Sequence, residues 1–515
     1  MIEITAATIA ELTGGTLTAG TDPATLVDVA RIATDSREVV SGSMYVAKSG
    51  EHADGHDFMA AAFGAGAVLA LAERVVPADD AGTVFPAVVV ADAVLAMGTL
   101  ASEVVRRIRA HSPLSVIGIT GSAGKTTTKD LLAGILSPLG ETVAPVGSYN
   151  GEVGVPLTVF RAVESTRYLI IEMGATKRGQ IAYLGAMVRP DVGVVLCVGS
   201  AHAGEFGSIE NIAAAKGELV EALPPHGRAL LNYDDARVRA MAVRSGAPVT
   251  FFSSADAPVL DTEDVPATTG ASTSADGQAF LQARNVQTNA DGQPEFDLLF
   301  PGSTEALTVR SKLLGLHHVA NLLAAASAAH AVGAAPEHIV ASLNEQRAAS
   351  RYRMERTDRA DGVSIINDAY NANPESMRAA LRTLAELGGS GARRTWAVLG
   401  EMLELGEESV LEHDAVGRVA VRLNISRLLV VGAGARAMHV GAVMEGSWGN
   451  ESMFLPDADA AYELLVAELA PGDIVLLKSS NGAGLRFLGD RIALSPGNRP
   501  TNTTNAPSGE RTAQP

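Results

Sequence analysis

A single cysteine, Cys197, in 515 residues excludes an intramolecular disulfide and any metal site built from several cysteines. It lies in the apolar run 192–198, where a small core residue is expected rather than a nucleophile. Aromatic residues are also scarce, at 4% with two tryptophans, while alanine, valine and glycine abound. Side chains that small let helices lie close on a sheet and point to α/β layers. No run of about 18 apolar residues is present, so no membrane insertion is expected. The opening Met1-Ile2-Glu3-Ile4-Thr5 has no basic segment leading into an apolar one, which makes the cytoplasm the expected compartment. Positive charge is in deficit: 40 Lys and Arg against 58 Asp and Glu leave −18, which argues against nucleic acid or an anionic membrane as partner.

What is present fits about three globular domains by length. Residues 1–111 mix short strands with helical runs at 58–67 and 97–110, the second carrying Arg106, Arg107 and Arg109 towards its C-terminal end. Pro113 marks a boundary near 112. Residues 112–349 then alternate strands (115–120, 167–171, 192–198, 228–232) with helical patterns, which predicts a doubly wound, mostly parallel sheet. From about 250 to 312 the alternation of apolar and polar residues around Asp276-Gly277 and Asp291-Gly292 predicts an inserted antiparallel hairpin or meander, and a helix at 320–331 follows. A third α/β rhythm spans 350–495, with strands at 363–367, 395–399, 427–431 and 473–477. The tail 496–515 is rich in Pro, Thr and Asn without periodicity and is expected to be disordered.

The strongest chemical signal is Gly118-Ile-Thr-Gly121-Ser122-Ala-Gly124-Lys125-Thr126-Thr127-Thr128. It follows an apolar strand and opens a helix, so Gly121 and Gly124 let backbone N–H groups close on phosphate oxygens at a helix N-terminus. Lys125 faces the β/γ-phosphates in this reading, and the Thr126 hydroxyl holds Mg²⁺. Glycine is missing at position 119, where the longer Walker spacing would place it and Ile119 stands.

This shortened loop resembles that of the Mur ligase family, and further segments extend the resemblance over nearly the whole chain. They are Ser148-Tyr-Asn150-Gly-Glu-Val-Gly-Val-Pro156, Glu172-Met-Gly-Ala175, Ala201-His202-Ala-Gly-Glu-Phe-Gly-Ser208, Ala215-Lys216-Gly-Glu218, Gly315-Leu-His317-His318-Val-Ala-Asn321, Asn367-Asp368-Ala-Tyr-Asn371-Ala-Asn373-Pro374 and Gly400-Glu-Met-Leu-Glu-Leu-Gly406. The resemblance implies an ATP-dependent ligase of three α/β domains, a UDP-sugar domain, a central ATPase and a closing C-terminal domain. Within the family the pattern is most like the member that joins D-alanyl-D-alanine to a UDP-N-acetylmuramoyl tripeptide through an acyl phosphate. A monomer using ATP and two Mg²⁺ ions is the implied state.

Site roles follow from the same resemblance. Thr126, Glu172, His202 and Lys216 would serve the metal ions, with Lys216 carbamylated; from the residues alone, a helix lysine is an ordinary solvated side chain. Gly121, Ser122, Gly124, Lys125, Thr126, Thr127, Asn321, Arg353 and Asp368 would meet the nucleotide, Asn321 at the adenine edge and Arg353 at the γ-phosphate. The implied catalytic set is Lys125, Glu172, His202, Lys216 and Arg353. For the other substrates the candidates are Ser36, Asn150, Asn371 and Asn373, with turn formation an open alternative at Ser36, Asn371 and Asn373. Lys478 begins a segment whose Ser479, Ser480 and Asn481 depart from the family's Lys-Gly-Ser-Arg. The rival readings are a family member that adds a single amino acid, and a nucleotide-dependent switch built on the same loop.

Overall fold

Each of the expected α/β rhythms forms its own mostly parallel sheet. The computed structural model describes residues 2–50, 53–199, 203–254, 280–389, 391–446, 449 and 451–495. Contacts divide the chain into two units. The first holds residues up to Arg351 with Asn373–Ala379 and Glu404–Ser409, and the second holds Tyr352–Ala372, Ala380–Leu403 and the chain from Val410 on. His202, the turn at Asp276-Gly277 and the tail 496–515 lie outside the described residues.

The first unit contains a five-stranded sheet ordered Thr16–Leu17, Ala87–Val89, Leu69–Ala72, Met44–Ala47, Ile32–Ala33, antiparallel only in its first pair. The helix expected at 97–110 runs over Ala93–His111, starting one turn earlier because the Asp92 carboxylate caps the amides of Val94 and Leu95. Met97, Leu100, Ala101, Val104, Val105 and Ile108 form its buried face at helical spacing. One apolar cluster runs from Val46 and Leu69 through this helix to Leu169, Val195 and Leu231. The sheets therefore separate near residue 112 while the core continues across.

The central sheet has nine strands, ordered Ala306–Arg310, Pro294–Leu299, Phe280–Thr288, Val249–Ser253, Arg228–Asn232, Val192–Val195, Ser115–Thr120, Tyr168–Glu172, Thr142–Val143. The last seven of these run parallel and the first three form the antiparallel meander. The meander starts later than the expected 250: Val249–Ser253 is still a parallel strand, buried on both faces except at Thr250. Its described turn lies at Asp291-Gly292, where Gly292 takes φ +73. The strand expected at 192–198 ends at Val195, because the residues beyond it bond to the phosphate loop instead of a ladder. The helix expected at 58–67 is shorter, a 3₁₀ turn at Gly55–Phe58 running into Met59–Gly64. Gly66 turns the chain away at φ +109, where a Cβ would sit 2.8 Å from Ser41 Cα.

In the second unit six strands are ordered Glu355–Asp358, Ser364–Asn367, Ile474–Lys478, Thr395–Leu399, Arg427–Val431, Ser452–Leu455, with only the first pair antiparallel. The four inner strands lie within a residue of their expected bounds. Both edge strands were not apparent from the sequence pattern.

Candidate active site

The strand Ser115–Thr120 lies between Tyr168–Glu172 and Val192–Val195. Strands next in the chain go to one side and later ones to the other, so a crevice opens at the carboxyl end of Ser115–Thr120. The loop 121–124 occupies that crevice and feeds the helix Lys125–Leu136. Gly124 caps this helix at φ +83, and a Cβ there would fall 2.1 Å from Asn321 Oδ1. Backbone conformation and close packing both require glycine at this position.

Three bonds brace the loop against the segment after Val195. The Ser122 amide donates to Cys197 O at 2.9 Å, and the Ser122 hydroxyl exchanges hydrogen bonds with Gly199 O and N at 3.1 and 2.8 Å. The Ala123 amide points at Cys197 Sγ at 3.4 Å. Ser122, expected to meet phosphate, thus spends its amide and hydroxyl on the shape of the loop. Burial pushes the Cys197 thiol pKa up, which fits the core reading and disfavours a thiolate nucleophile. Lys125 Nζ donates to Gly121 O at 2.7 Å, folding back over the loop.

Directly beyond the loop, Thr126 Oγ1 lies 3.0 Å from Glu172 Oε2 and 3.1 Å from Ser148 Oγ. The Asn150 amide donates to Glu172 Oε1 at 2.8 Å. Glu172 is 1% exposed, at the end of its strand, so these bonds hold a buried carboxylate in one orientation. Gly174 makes room for this, since a Cβ there would meet Asn150 Oδ1 at 2.8 Å. A hydroxyl and a carboxylate from adjacent elements are the hard oxygen donors that suit Mg²⁺, which keeps several waters and needs few protein ligands.

Lys216 is on the helix Ile209–Glu221, whose buried face also carries Ile212, Ala215 and Leu219. It is 3% exposed, which overturns the solvated-helix alternative. Its pKa is lowered from 10.5 to about 7, first by burial and then by the positive charge of Lys125, with Cys197 acting weakly the other way. Glu218 on the same helix accepts from the amides of Gly179 and Ala182 at 2.7 and 3.0 Å, capping the helix Gln180–Val188 and fixing the two together. Asn321 is buried behind Gly124, with Nδ2 3.2 Å from His318 Nδ1. His318 is neutral, its pKa held well below the usual value by burial and then by His317.

At the start of the second unit, Tyr352-Arg353-Met354 makes a tight turn with Tyr352 at φ +62 and Met354 at φ +52. The Arg353 guanidinium stacks over the Tyr370 ring at 4.3 Å. Asp368 Oδ1 accepts from the Met354 amide at 3.0 Å, and its Oδ2 pairs with Lys478 Nζ at 2.6 Å. Asp368 therefore braces the Arg353 turn, and Lys478 is an internal counter-charge. The substrate candidates Asn371 and Asn373 each accept a local backbone hydrogen bond. Asn373 Oδ1 accepts from the Ser376 amide at 2.8 Å at the start of the helix Pro374–Gly388, and Asn371 Oδ1 takes the Ala372 amide at 2.9 Å. Ser36 opens a 3₁₀ turn capped by Asp35, whose pKa falls to about 2 through its hydrogen bonds to the Arg37 side chain and amide. In the loop that follows, His56 is 3% exposed and is held by Asp54 at Nδ1 (2.5 Å) and by the Glu73 amide at Nε2 (2.9 Å), a core role that the sequence did not indicate.

Three family models match the chain: the Mur ligase family catalytic domain over residues 28–112, the Mur ligase middle domain over 119–329, and the Mur ligase glutamate ligase domain over 352–481. UDP-N-acetylmuramoyl-tripeptide--D-alanyl-D-alanine ligase of Mycobacterium tuberculosis is 44% identical over 96% of this chain and 98% of its own length. The chain belongs to the Mur ligase family. The Escherichia coli ligase of the same name is 32% identical over 94% of this chain and 97% of its own. Among solved structures, MurF from Acinetobacter baumannii superposes with a TM-score of 0.80 at 29% identity, over 96% of this chain and 99% of that one. MurF from Thermotoga maritima, solved in complex with ADP, gives 0.73 at 25%, over 90% and 98%.

As a Mur ligase the chain has the three-domain α/β fold of its family and is an ATP-dependent ligase. The geometry adds two residues that the motifs contained but did not single out: Ser148 beside the Thr126 hydroxyl and Gly174 beneath Asn150. Ser148 and Gly174 stood inside quoted segments, yet only their packing partners reveal what they do.

Proposed function

We propose that this Mur ligase joins D-alanyl-D-alanine to a UDP-N-acetylmuramoyl tripeptide at the expense of ATP. It would do so as a monomer in the cytoplasm, at the last cytoplasmic step of the peptidoglycan stem peptide. The observation that carries the reading is 44% identity over 96% of the chain to a ligase of that name. No described helix is long and apolar enough to cross a membrane, which is consistent with soluble substrates.

The chemistry assigns each group a task. The tripeptide's terminal carboxylate attacks the γ-phosphorus; an O–P bond forms as the bond to the β–γ bridging oxygen breaks, and ADP leaves. The free amine of the dipeptide then attacks the acyl carbon, the C–N bond forms, and phosphate departs with the electrons of the C–O bond while the amine loses a proton. Lys125, Arg353 and the amides around Gly121, Gly124 and Thr127 would stabilise the negative charge spread over the transferring phosphoryl group. Mg²⁺, held by Thr126 and Glu172 with His202, would offset charge on the same oxygens. Asn321 would meet the adenine, and Asp368 would act through the turn that presents Arg353. Ser36 would contact the uridine-linked sugar, while Asn150, Asn371 and Asn373 would lie near the dipeptide. The domain bounds we propose are 1–111, 112–349 and 350–495.

Lys216 has the surroundings a carbamate needs. A lysine held near pH 7 by burial is substantially the free amine, which adds CO₂ and releases one proton to give R–NH–COO⁻. That converts a cation into an oxygen ligand for a second Mg²⁺. Phosphate release assayed with every omission from the set of ATP, Mg²⁺, UDP-muramoyl tripeptide and D-alanyl-D-alanine tests the reading: release is expected only with all four. Turnover with single amino acids and none with the dipeptide would assign another member of the family. Hydrolysis indifferent to any acceptor amine would favour the nucleotide switch.

A further inference from the structure

We propose that Lys129 is a positioning residue that sets the metal side of the site, an inference resting on the reading of Thr126 and Glu172 as Mg²⁺ ligands. Lys129 is one turn beyond Lys125 on the same helix and is 3% exposed. Its ammonium donates to Pro145 O at 3.0 Å and Gly147 O at 3.4 Å, and lies 2.6 Å from Asp130 Oδ1. Three donors thus meet three acceptors, which is what a buried ammonium needs to be tolerated.

Both carbonyls belong to the loop that leads directly into Ser148 and Asn150, and Gly147 turns that loop at φ +58. Ser148 touches the Thr126 hydroxyl, and Asn150 holds one oxygen of Glu172. Lys129 therefore fixes, from behind, the segment that orients the metal carboxylate. Asp130 extends the connection, because its Oδ2 accepts the Ser350 hydroxyl at 2.5 Å. Ser350 precedes Arg351, the residue at which the chain leaves the first unit. A single ion pair ties the loop beside Glu172 to that exit.

Groups that orient a metal ligand directly, as Ser148 and Asn150 do here, are worth about 10- to 100-fold in metal affinity, and Lys129, which acts through them, is expected at the lower end of that range. The test is Lys129→Met, with Mn²⁺ as the probe ion, titrated by electron paramagnetic resonance in the presence of ADP. ADP affinity without metal, and hydrogen exchange of the amides at 146–150, are measured alongside. Expected are Mn²⁺ binding weakened by about tenfold, unchanged metal-free ADP affinity and faster exchange at 146–150. Lys129→Arg, which keeps the donors, should recover most of the loss. Should Lys129→Met fail to fold, Asp130→Asn keeps an oxygen for Ser350 while removing the charge beside Lys129, and a smaller shift in the same direction is expected. Native Mn²⁺ affinity and native exchange in a folded variant overturn the proposal. Absence of Mn²⁺ binding by the unaltered protein instead sinks the metal reading of Thr126 and Glu172, and the exchange data still decide what Lys129 does to the loop.

Discussion

Lys216 and Lys478 are buried to nearly the same depth, 3% and 2% exposed, in opposite surroundings. Lys478 sits 2.6 Å from the Asp368 carboxylate and also donates to Asn371 O at 3.1 Å. Lys216 makes no ion pair or hydrogen bond among the described residues, and the charge that acts on it most is the like charge of Lys125. Depth alone does not decide what a buried lysine does. A carboxylate partner turns it into a structural cation, whereas burial beside another cation drives off its proton and leaves a nucleophilic amine.

The largest effect that bears on this contrast is expected from Lys125→Ala. Losing the charge at the β/γ-phosphates should cut phosphate release by about a hundred- to a thousandfold in a folded variant. The same change removes a like charge from Lys216, so the Lys216 pKa should climb above its value of about 7 in spectra of labelled lysine. Unchanged turnover would sink the assignment of the phosphate loop.

Next comes a direct comparison of the two lysines by denaturant unfolding. Lys478→Met strands a buried carboxylate and should cost about 3–5 kcal/mol. Lys216→Met removes a buried amine that has no carboxylate partner among the described residues, so it should leave stability unchanged or improve it while abolishing turnover. If the two losses of stability were equal, the contrast would be wrong.

A third, smaller effect is read from stability against pH. The folded Lys216 pKa, about 7, lies below the ordinary 10.5, so between those values the unfolded chain holds a proton that the fold does not. Its destabilising contribution is fully present below pH 7 and is relieved as pH rises towards 10.5. Stability of the carbamate-free protein should accordingly rise across that window, and the rise attributable to Lys216 should vanish in Lys216→Met. The smallest effect is expected at Cys197, where Cys197→Ala loses two weak contacts to Ala123 in the loop and should cost about 1 kcal/mol. Its buried thiol should alkylate more slowly than a free thiol at pH 8.

The inner strands could be read from sequence because each is covered on both faces, so Ser115–Thr120, Tyr168–Glu172 and Thr395–Leu399 stand out as short apolar runs. Glu355–Asp358, reading Glu-Arg-Thr-Asp, could not: an edge strand half open to water has no such run. Strand Val249–Ser253 is parallel to both Arg228–Asn232 and Phe280–Thr288, and the second of these partners follows only after a long intervening segment. In the site, Gly124 and Lys125 could be read because the phosphate loop is a local backbone device. The backbone hydrogen bonds that Asn371 and Asn373 accept are equally local.

The sequence by itself determined the α/β class, the phosphate loop and the family, since these depend on neighbours in the chain: strand, glycines, lysine, helix. Tertiary structure alone decided the states of the lysines. Lys129, Lys216 and Lys478 are the same side chain in unremarkable local contexts. Their fates are set by groups far away in sequence, Pro145 and Gly147 for Lys129, Asp368 for Lys478, and Lys125 with burial for Lys216. A charge in a low-dielectric interior responds to whatever packing brings within a few ångströms, and that distance is fixed only when the chain has folded.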